Sequence, residues 1–308
     1  MEDYIQSQVT NELYKISKTF KKCQKNNKGK HHFDSFQWHH PLTSIELTKN
    51  NYSFTLAQSL LEWIEYIGIY NVSFPEVYSH PFPVPSYITV TKIIPLTIKG
   101  KPSNIVYLLY SENLNTILVF FSATYNMELL LSDLEYKQTL PLGIGSVTPL
   151  PFGSQIHQGI YSIYKHVQRH VHKFISEYKT KDTTIITSGL SLGGALSNIA
   201  KVDLELSFIS VIHYSFGSPR IWNPIAASYI NKHLYKNAYR IINTMDIIAK
   251  LPFSEMPRLT DVFHNCIEHV EYYQHTFPEI AFTLNLGSYA KNHGDSYMTY
   301  YQLNTHEC

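Results

Sequence analysis

Cysteine is scarce in this chain: Cys23, Cys266 and Cys308 are the three among 308 residues. Odd in number and widely spaced, they cannot build the multi-bridge framework of a small disulfide scaffold, and they suit a reducing interior. Long apolar runs are missing too. The longest, around Ile105 to Tyr110 and Thr116 to Phe121, are split by Ser111-Glu112-Asn113-Leu114-Asn115 and fall far short of the ~20 residues a bilayer crossing needs. A net charge of +1 gives no general pull toward nucleic acid, and no helicase, zinc-finger or phosphate-loop pattern occurs. The start, Met1 to Gln8, is acidic and has neither the basic region nor the apolar core of a secretory signal peptide. These absences lead to the expectation of an intracellular, cytoplasmic protein without a transmembrane segment, cofactor or metal.

What is present is ordinary for a large globular domain, with 44% hydrophobic and 16% charged residues. Residues 1–51 differ from the rest: within the first thirty, Lys15, Lys18, Lys21, Lys22, Lys25, Lys28 and Lys30 face only Glu2, Asp3 and Glu12. Either a basic arm that docks on anionic lipid or a solvated helix and linker fits this composition. His31, His32, His39 and His40 flank Phe33 to Trp38, but their spacing matches no standard metal-ligand pattern. The helical periodicity of Tyr52 to Tyr70 marks the start of a second region, 52–308.

The most informative segment is Thr187-Ser188-Gly189-Leu190-Ser191-Leu192-Gly193-Gly194-Ala195. The β-branched run Thr183 to Thr187 predicts a buried strand, and Leu192 to Val202 predicts a helix. Between them stands Gly-x-Ser-x-Gly. A serine at such a strand-to-helix elbow takes a strained backbone, and side chains two positions away would collide with the neighbouring strand and helix. Gly189 and Gly193 remove them. Ser191 is thus the candidate nucleophile, and the N–H of Leu192, at the helix N-terminus, is a candidate oxyanion donor.

A serine of this kind needs a base and a residue to orient the base. Tyr239 to Asn243 predicts a strand, directly followed by Thr244-Met245-Asp246, so Asp246 sits where an orienting acid belongs. Asp203, Asp261 and Asp295 compete, but none closes a strand. His293 lies in the polar stretch Lys291 to Tyr297 and completes the chain order Ser, Asp, His. It is one of 16 histidines. Strand candidates at 88–94, 105–110, 116–121, 183–187, 208–216 and 238–243 alternate with helical stretches such as His157 to Tyr178, which predicts an α/β fold with a mostly parallel central sheet flanked by helices.

Five blocks in order carry a family resemblance: Ile156-His157-Gln158-Gly159-Ile160, the elbow, Phe216-Gly217-Ser218-Pro219-Arg220, Arg240 through Pro252, and His293 with Tyr297. Over roughly residues 52 to 302 the chain resembles the class 3, fungal-type lipases of the α/β-hydrolase superfamily. The resemblance implies Ser191 as nucleophile, His293 as general base and Asp246 as its orienting acid. It also implies a second oxyanion donor after the strand Thr116 to Phe121. Thr124 matches the hydroxyl position there, while Ser122 and Ala123 replace the family's Arg and Gly.

The next segment, Asn126 to Leu134, carries Met127, Leu129, Leu130, Leu131 and Leu134 in a short helical pattern. It reads either as a helix docked on the core or, as the resemblance implies, as a lid that opens at a lipid surface. Pro141 through Gly153 reads as a hinge or a long surface loop. The function expected is hydrolysis of lipid esters, triacylglycerol or related acylglycerols, by a Ser-His-Asp acyl-enzyme route, with a membrane or lipid-droplet surface as the partner. A phospholipase, a small-ester esterase and a scaffold that has lost the chemistry are the alternatives.

Overall fold

A computed structural model of the chain describes residues 38–40, 42, 51–73, 82–98, 101–122, 137–145, 147–257 and 270–304. Helix α1 (Phe54–Ser73) comes first, then strands β1 (Val90–Ile98), β2 (Lys101–Ser111), β3 (Thr116–Phe121), β4 (Gln138–Thr139) and β5 (Ile156–His157). Helix α2 (Gln158–Tyr178), β6 (Thr184–Leu190), α3 (Leu192–Leu206), β7 (Ile212–Phe216), α4 (Pro224–His233) and β8 (Ala238–Asn243) form the alternating middle. A short 3-10 turn, Ile248–Lys250, precedes β9 (Glu255–Pro257), β10 (Val270–Tyr272), β11 (Glu279–Phe282), α5 (Tyr289–His293) and α6 (Asp295–Leu303).

Among the described residues the main sheet has seven strands in the order β1-β2-β3-β6-β7-β8-β11. The pairs β1·β2 and β2·β3 are antiparallel, and the four from β3·β6 to β8·β11 are parallel. Parallel strands with helices on both faces must be apolar on both sides, and β3 is buried at all six positions. Its alternation divides the core. Ile117, Val119 and Phe121 face the α2/α3 layer, whereas Leu118 and Phe120 face α1. Trp63 of α1 stacks on Phe120, ring centroids 5.6 Å apart. Each such fully buried side chain contributes about 1.5–3 kcal/mol relative to exposure.

Several boundaries differ from the sequence expectations. The strand expected at 208–216 begins only at Ile212, because Phe208 adopts φ +59° in a turn and is exposed. The strand β11 and the helix α4 were not foreseen. Residues 38–40 and 42 pack on α1, where Glu62 accepts from His40 Nδ1 (2.8 Å) and from the backbone of His39 and His40. Those two histidines thus serve a contact with α1. Nothing described bears on the rest of the basic arm, on Asp261, or on the three cysteines. Among the described residues, no helix is long and apolar enough to cross a membrane.

Candidate active site

The elbow is built as its glycines require. Ser191 sits between β6 and α3 with φ +60° and ψ −124°, a conformation costing a non-glycine residue about 1–3 kcal/mol. It persists because the surroundings leave no alternative. A Cβ on Gly193 would lie 2.1 Å from the Phe121 carbonyl oxygen, and one on Gly189 would lie 2.3 Å from the Gly193 carbonyl carbon. The Ser191 N–H donates to Phe216 O at 2.9 Å, which fixes the serine to the end of β7. Leu192 is the first residue of α3, so its N–H has no carbonyl one turn earlier to bond.

Asp246 and His293 meet at the next residue along, Gly217. Its backbone has φ +54°, and a Cβ there would stand 2.9 Å from Asp246 Oδ2, 2.9 Å from Tyr297 Oη and 3.2 Å from His293 Cε1. His293 Nδ1 donates to Asp246 Oδ2 at 2.8 Å, and both side chains are buried. Tyr297 Oη donates to the same oxygen at 2.7 Å. Asp246 Oδ1 accepts from the Ile248 N–H (2.9 Å) and the Ala249 N–H (3.4 Å). With both oxygens engaged, the carboxylate has one orientation. Burial pushes the Tyr297 phenol well above its ordinary range, helped by the Asp246 charge, so it stays a proton donor.

The loops that bring these groups together are held by residues the sequence reading passed over. Asn243, the last residue of β8, accepts through Oδ1 from Met245 N–H (3.1 Å) and Leu284 N–H (3.0 Å). Its Nδ2 faces Leu284 O (2.7 Å), Ser296 Oγ (3.0 Å) and Asn292 O (3.2 Å). One buried amide therefore ties the Asp246 turn to the His293 segment. Arg220 grips the far side of the Asp246 loop. Its N–H donates to Leu251 O at 2.6 Å, and its Nη1 donates to Lys250 O and to Pro252 O, the latter at 3.0 Å. His275 Nε2 adds a bond to Ala249 O at 2.8 Å. Burial, reinforced by Arg240 and Arg220, pulls the His275 pKa down to about 2, so this ring is a neutral donor. Both Arg220 and Asn243 fall inside the quoted sequence blocks, but their partners lie up to 53 residues away.

Of the competing acids, Asp203 belongs elsewhere. It lies near the end of α3, and its carboxylate accepts from Tyr164 Oη, Gln168, His172 and the Gly145 N–H. Asp295 opens α6 and is exposed. Thr124 and Ala123, and the lid residues Met127, Leu129, Leu130, Leu131 and Leu134, lie outside the described residues. Ser122 is described and buried, its N–H donating to Ile105 O. The described residues of the Pro141 to Gly153 stretch lie mostly at the surface, with Ile144 buried, and are anchored through Gly145 to Asp203.

A seven-stranded, mostly parallel sheet with a serine elbow, a buried histidine–carboxylate pair and helices on both faces defines an α/β-hydrolase. The family described as Lipase (class 3) matches residues 118–256, from within β3 to within β9, and over this part the chain is similar to that family. A secreted mono- and diacylglycerol lipase of Malassezia globosa is 28% identical over 122 residues, 39% of this chain and 38% of its own length. The chloroplastic phospholipase A(1) DAD1 of Arabidopsis thaliana is 28% identical over 113 residues, 35% of this chain and 25% of its own. The crystal structure of a mono- and diacylglycerol lipase from Aspergillus oryzae superposes with a TM-score of 0.50 at 24% identity, covering 64% of each chain, and shares the fold. The chain thus spans well under half the length of the curated relatives it matches.

These relatives correct one expectation. Several are named as secreted lipases, against the intracellular location read from the N-terminus and cysteines. The inference failed for a physical reason: a domain with a core this large needs no disulfides, so a low cysteine count does not discriminate between compartments.

Proposed function

We propose that this protein hydrolyses the carboxylic ester bonds of lipids, acylglycerols in the first place, through an acyl-enzyme on Ser191. The observation that carries the reading is the His293 Nδ1 to Asp246 Oδ2 bond, made against Gly217, one residue beyond the carbonyl that holds the Ser191 backbone. With the Nδ1–H kept on the ring and hydrogen-bonded to Asp246, His293 has its lone pair on Nε2 and accepts the Ser191 hydroxyl proton as the oxygen attacks the ester carbonyl. The Leu192 N–H stabilises the oxyanion, with Thr124 as the second donor. His293 then returns the proton to the departing alcohol. Water, deprotonated by the same ring, cleaves the acyl-enzyme to release the fatty acid.

Asp246 holds the imidazole and offsets its positive charge, and Tyr297 and two backbone N–H groups hold Asp246. The spacing of Met127, Leu129, Leu130, Leu131 and Leu134 in the sequence supports a lid role for that segment. The mono- and diacylglycerol lipases among the relatives support partial acylglycerols as substrates, and the Arabidopsis relative supports a phospholipid sn-1 ester as the second reading. The test is release of fatty acid from diacylglycerol, triacylglycerol and phosphatidylcholine dispersions by the wild type and Ser191→Ala. Turnover abolished by the substitution supports the reading, and the substrate profile chooses between its two forms. A wild type inert on every dispersed ester would leave a scaffold that kept the fold without the chemistry.

A further inference from the structure

The charge of this chain is unevenly spread. The whole carries +1, yet between residues 137 and 181 six Lys and Arg stand against one acid, Glu177. Helix α2 gathers three of them, Lys165, Arg169 and Lys173, at four-residue spacing in one exposed row. Glu177 reaches Lys173 only at 3.7 Å in solvent, a pair worth little in water.

Beside this row runs the surface loop before α2, and it is apolar where loops are usually polar. Leu140 is 54% exposed, Leu142 is 71% exposed, and Phe152 is fully so. The loop is fastened to the basic helix. Tyr161 Oη donates to Leu142 O, and Gln168 Nε2 donates to Gly143 O at 2.7 Å. The Gly145 N–H donates to the buried Asp203 carboxylate at 2.8 Å. Burial raises the Asp203 pKa, but His172 and its other donors outweigh this and hold it below the usual range, so the anchor stays charged. Leu140 and Leu142 are therefore held at the surface next to this row, where a Cβ on Gly143 would lie 3.1 Å from Lys165 Nζ.

We propose that this face, the exposed row of α2 with Leu140, Leu142 and Phe152 of the preceding loop, docks the protein on an anionic lipid surface. Apolar side chains entering the headgroup region next to cations that neutralise lipid phosphates are what such a surface binds, and each Lys or Arg near it adds to the attraction. The choice of a lipid partner rests on the lipid-ester reading, but the docking itself involves no bond chemistry.

The experiment is vesicle co-sedimentation of the full chain, in the Ser191→Ala background so that hydrolysis cannot alter the vesicles. Phosphatidylcholine vesicles are compared with vesicles that also contain phosphatidylglycerol. Binding to the anionic vesicles is expected, weakened by added salt, and reduced about tenfold or more by Arg169→Glu with Lys173→Glu. Leu140→Ser with Leu142→Ser, at positions too exposed to affect folding, is expected to weaken binding at every salt concentration; unchanged melting temperatures confirm that both double variants fold. Full binding by the charge-reversed variant overturns the proposal and shifts attention to the basic N-terminal arm. Equal binding to neutral vesicles, or to none, overturns it as well, the latter pointing to an acidic protein partner. A protein that binds in this charge-dependent way but hydrolyses no ester fails the functional reading and keeps the docking face.

Discussion

Tyr297 Oη and His293 Nδ1 share one acceptor, Oδ2 of Asp246, at 2.7 and 2.8 Å. The tyrosine therefore holds the carboxylate from a fully buried position. Tyr297→Phe is predicted to lower kcat about tenfold with little change in KM, because one of the bonds orienting the carboxylate is lost while the substrate-binding surface is not touched. A variant with wild-type kcat would reduce Tyr297 to a packing residue.

Gly217 gives a sharper test of the same junction. Gly217→Ala places a methyl group 2.9 Å from both Asp246 Oδ2 and Tyr297 Oη, on a backbone with φ +54°. We predict a loss of about 1–3 kcal/mol in stability and a fall in kcat larger than that of Tyr297→Phe. Urea unfolding and steady-state kinetics on the same preparation check both.

Arg220 reaches the loop from behind, and its guanidinium bonds to two carbonyls of the segment that follows Asp246. Arg220→Lys keeps the charge but loses the planar fork. Its expected signature is a reduced kcat at unchanged KM, with Asp246 less well held. A change in KM alone would place Arg220 in substrate binding.

Two buried histidines, together with His275 at the Asp246 loop, make the fold acid-sensitive. Burial lowers the pKa of His157 to about 4, and burial together with Lys201 lowers that of His213 to about 3. In the unfolded chain both titrate near 6.5, so below that pH the unfolded state binds the protons first. The stability they contribute is complete above 6.5 and falls as pH drops toward 4, at about 1.4 kcal/mol per pH unit for each ring. Urea midpoints at pH 7.5 and 5.5 measure the slope, to which His275, lowered to about 2, adds an equal share, and His213→Asn should remove about a third of the histidine contribution. A stability unchanged between those two pH values would contradict the assignment.

The sequence made some of this legible and hid the rest for reasons that particular residues show. The elbow could be read because its constraint is local: Gly189 and Gly193 are needed by neighbours two positions from Ser191, so spacing alone declares them. Asp246 could be read because it follows the strand that ends at Asn243. Asn243 itself could not, since its partners Leu284, Asn292 and Ser296 arrive from a segment 41 to 53 residues away. The edge strand β11 escaped notice because its four residues, Glu279–Phe282, have only one buried side chain and so carry no clear alternation. Phe208 misled in the opposite direction, an aromatic residue that occupies an exposed turn beside the strand it was assigned to.

The central claim is that Ser191 is a nucleophile activated by the His293–Asp246 pair. Its most direct test is covalent labelling by a fluorophosphonate ester, followed by mass spectrometry of the digested protein. The account predicts one phosphonylated residue, Ser191, with labelling slowed by orders of magnitude in His293→Ala and Asp246→Asn. Absence of a Ser191 adduct, or an adduct formed equally fast in the His293 variant, would contradict it.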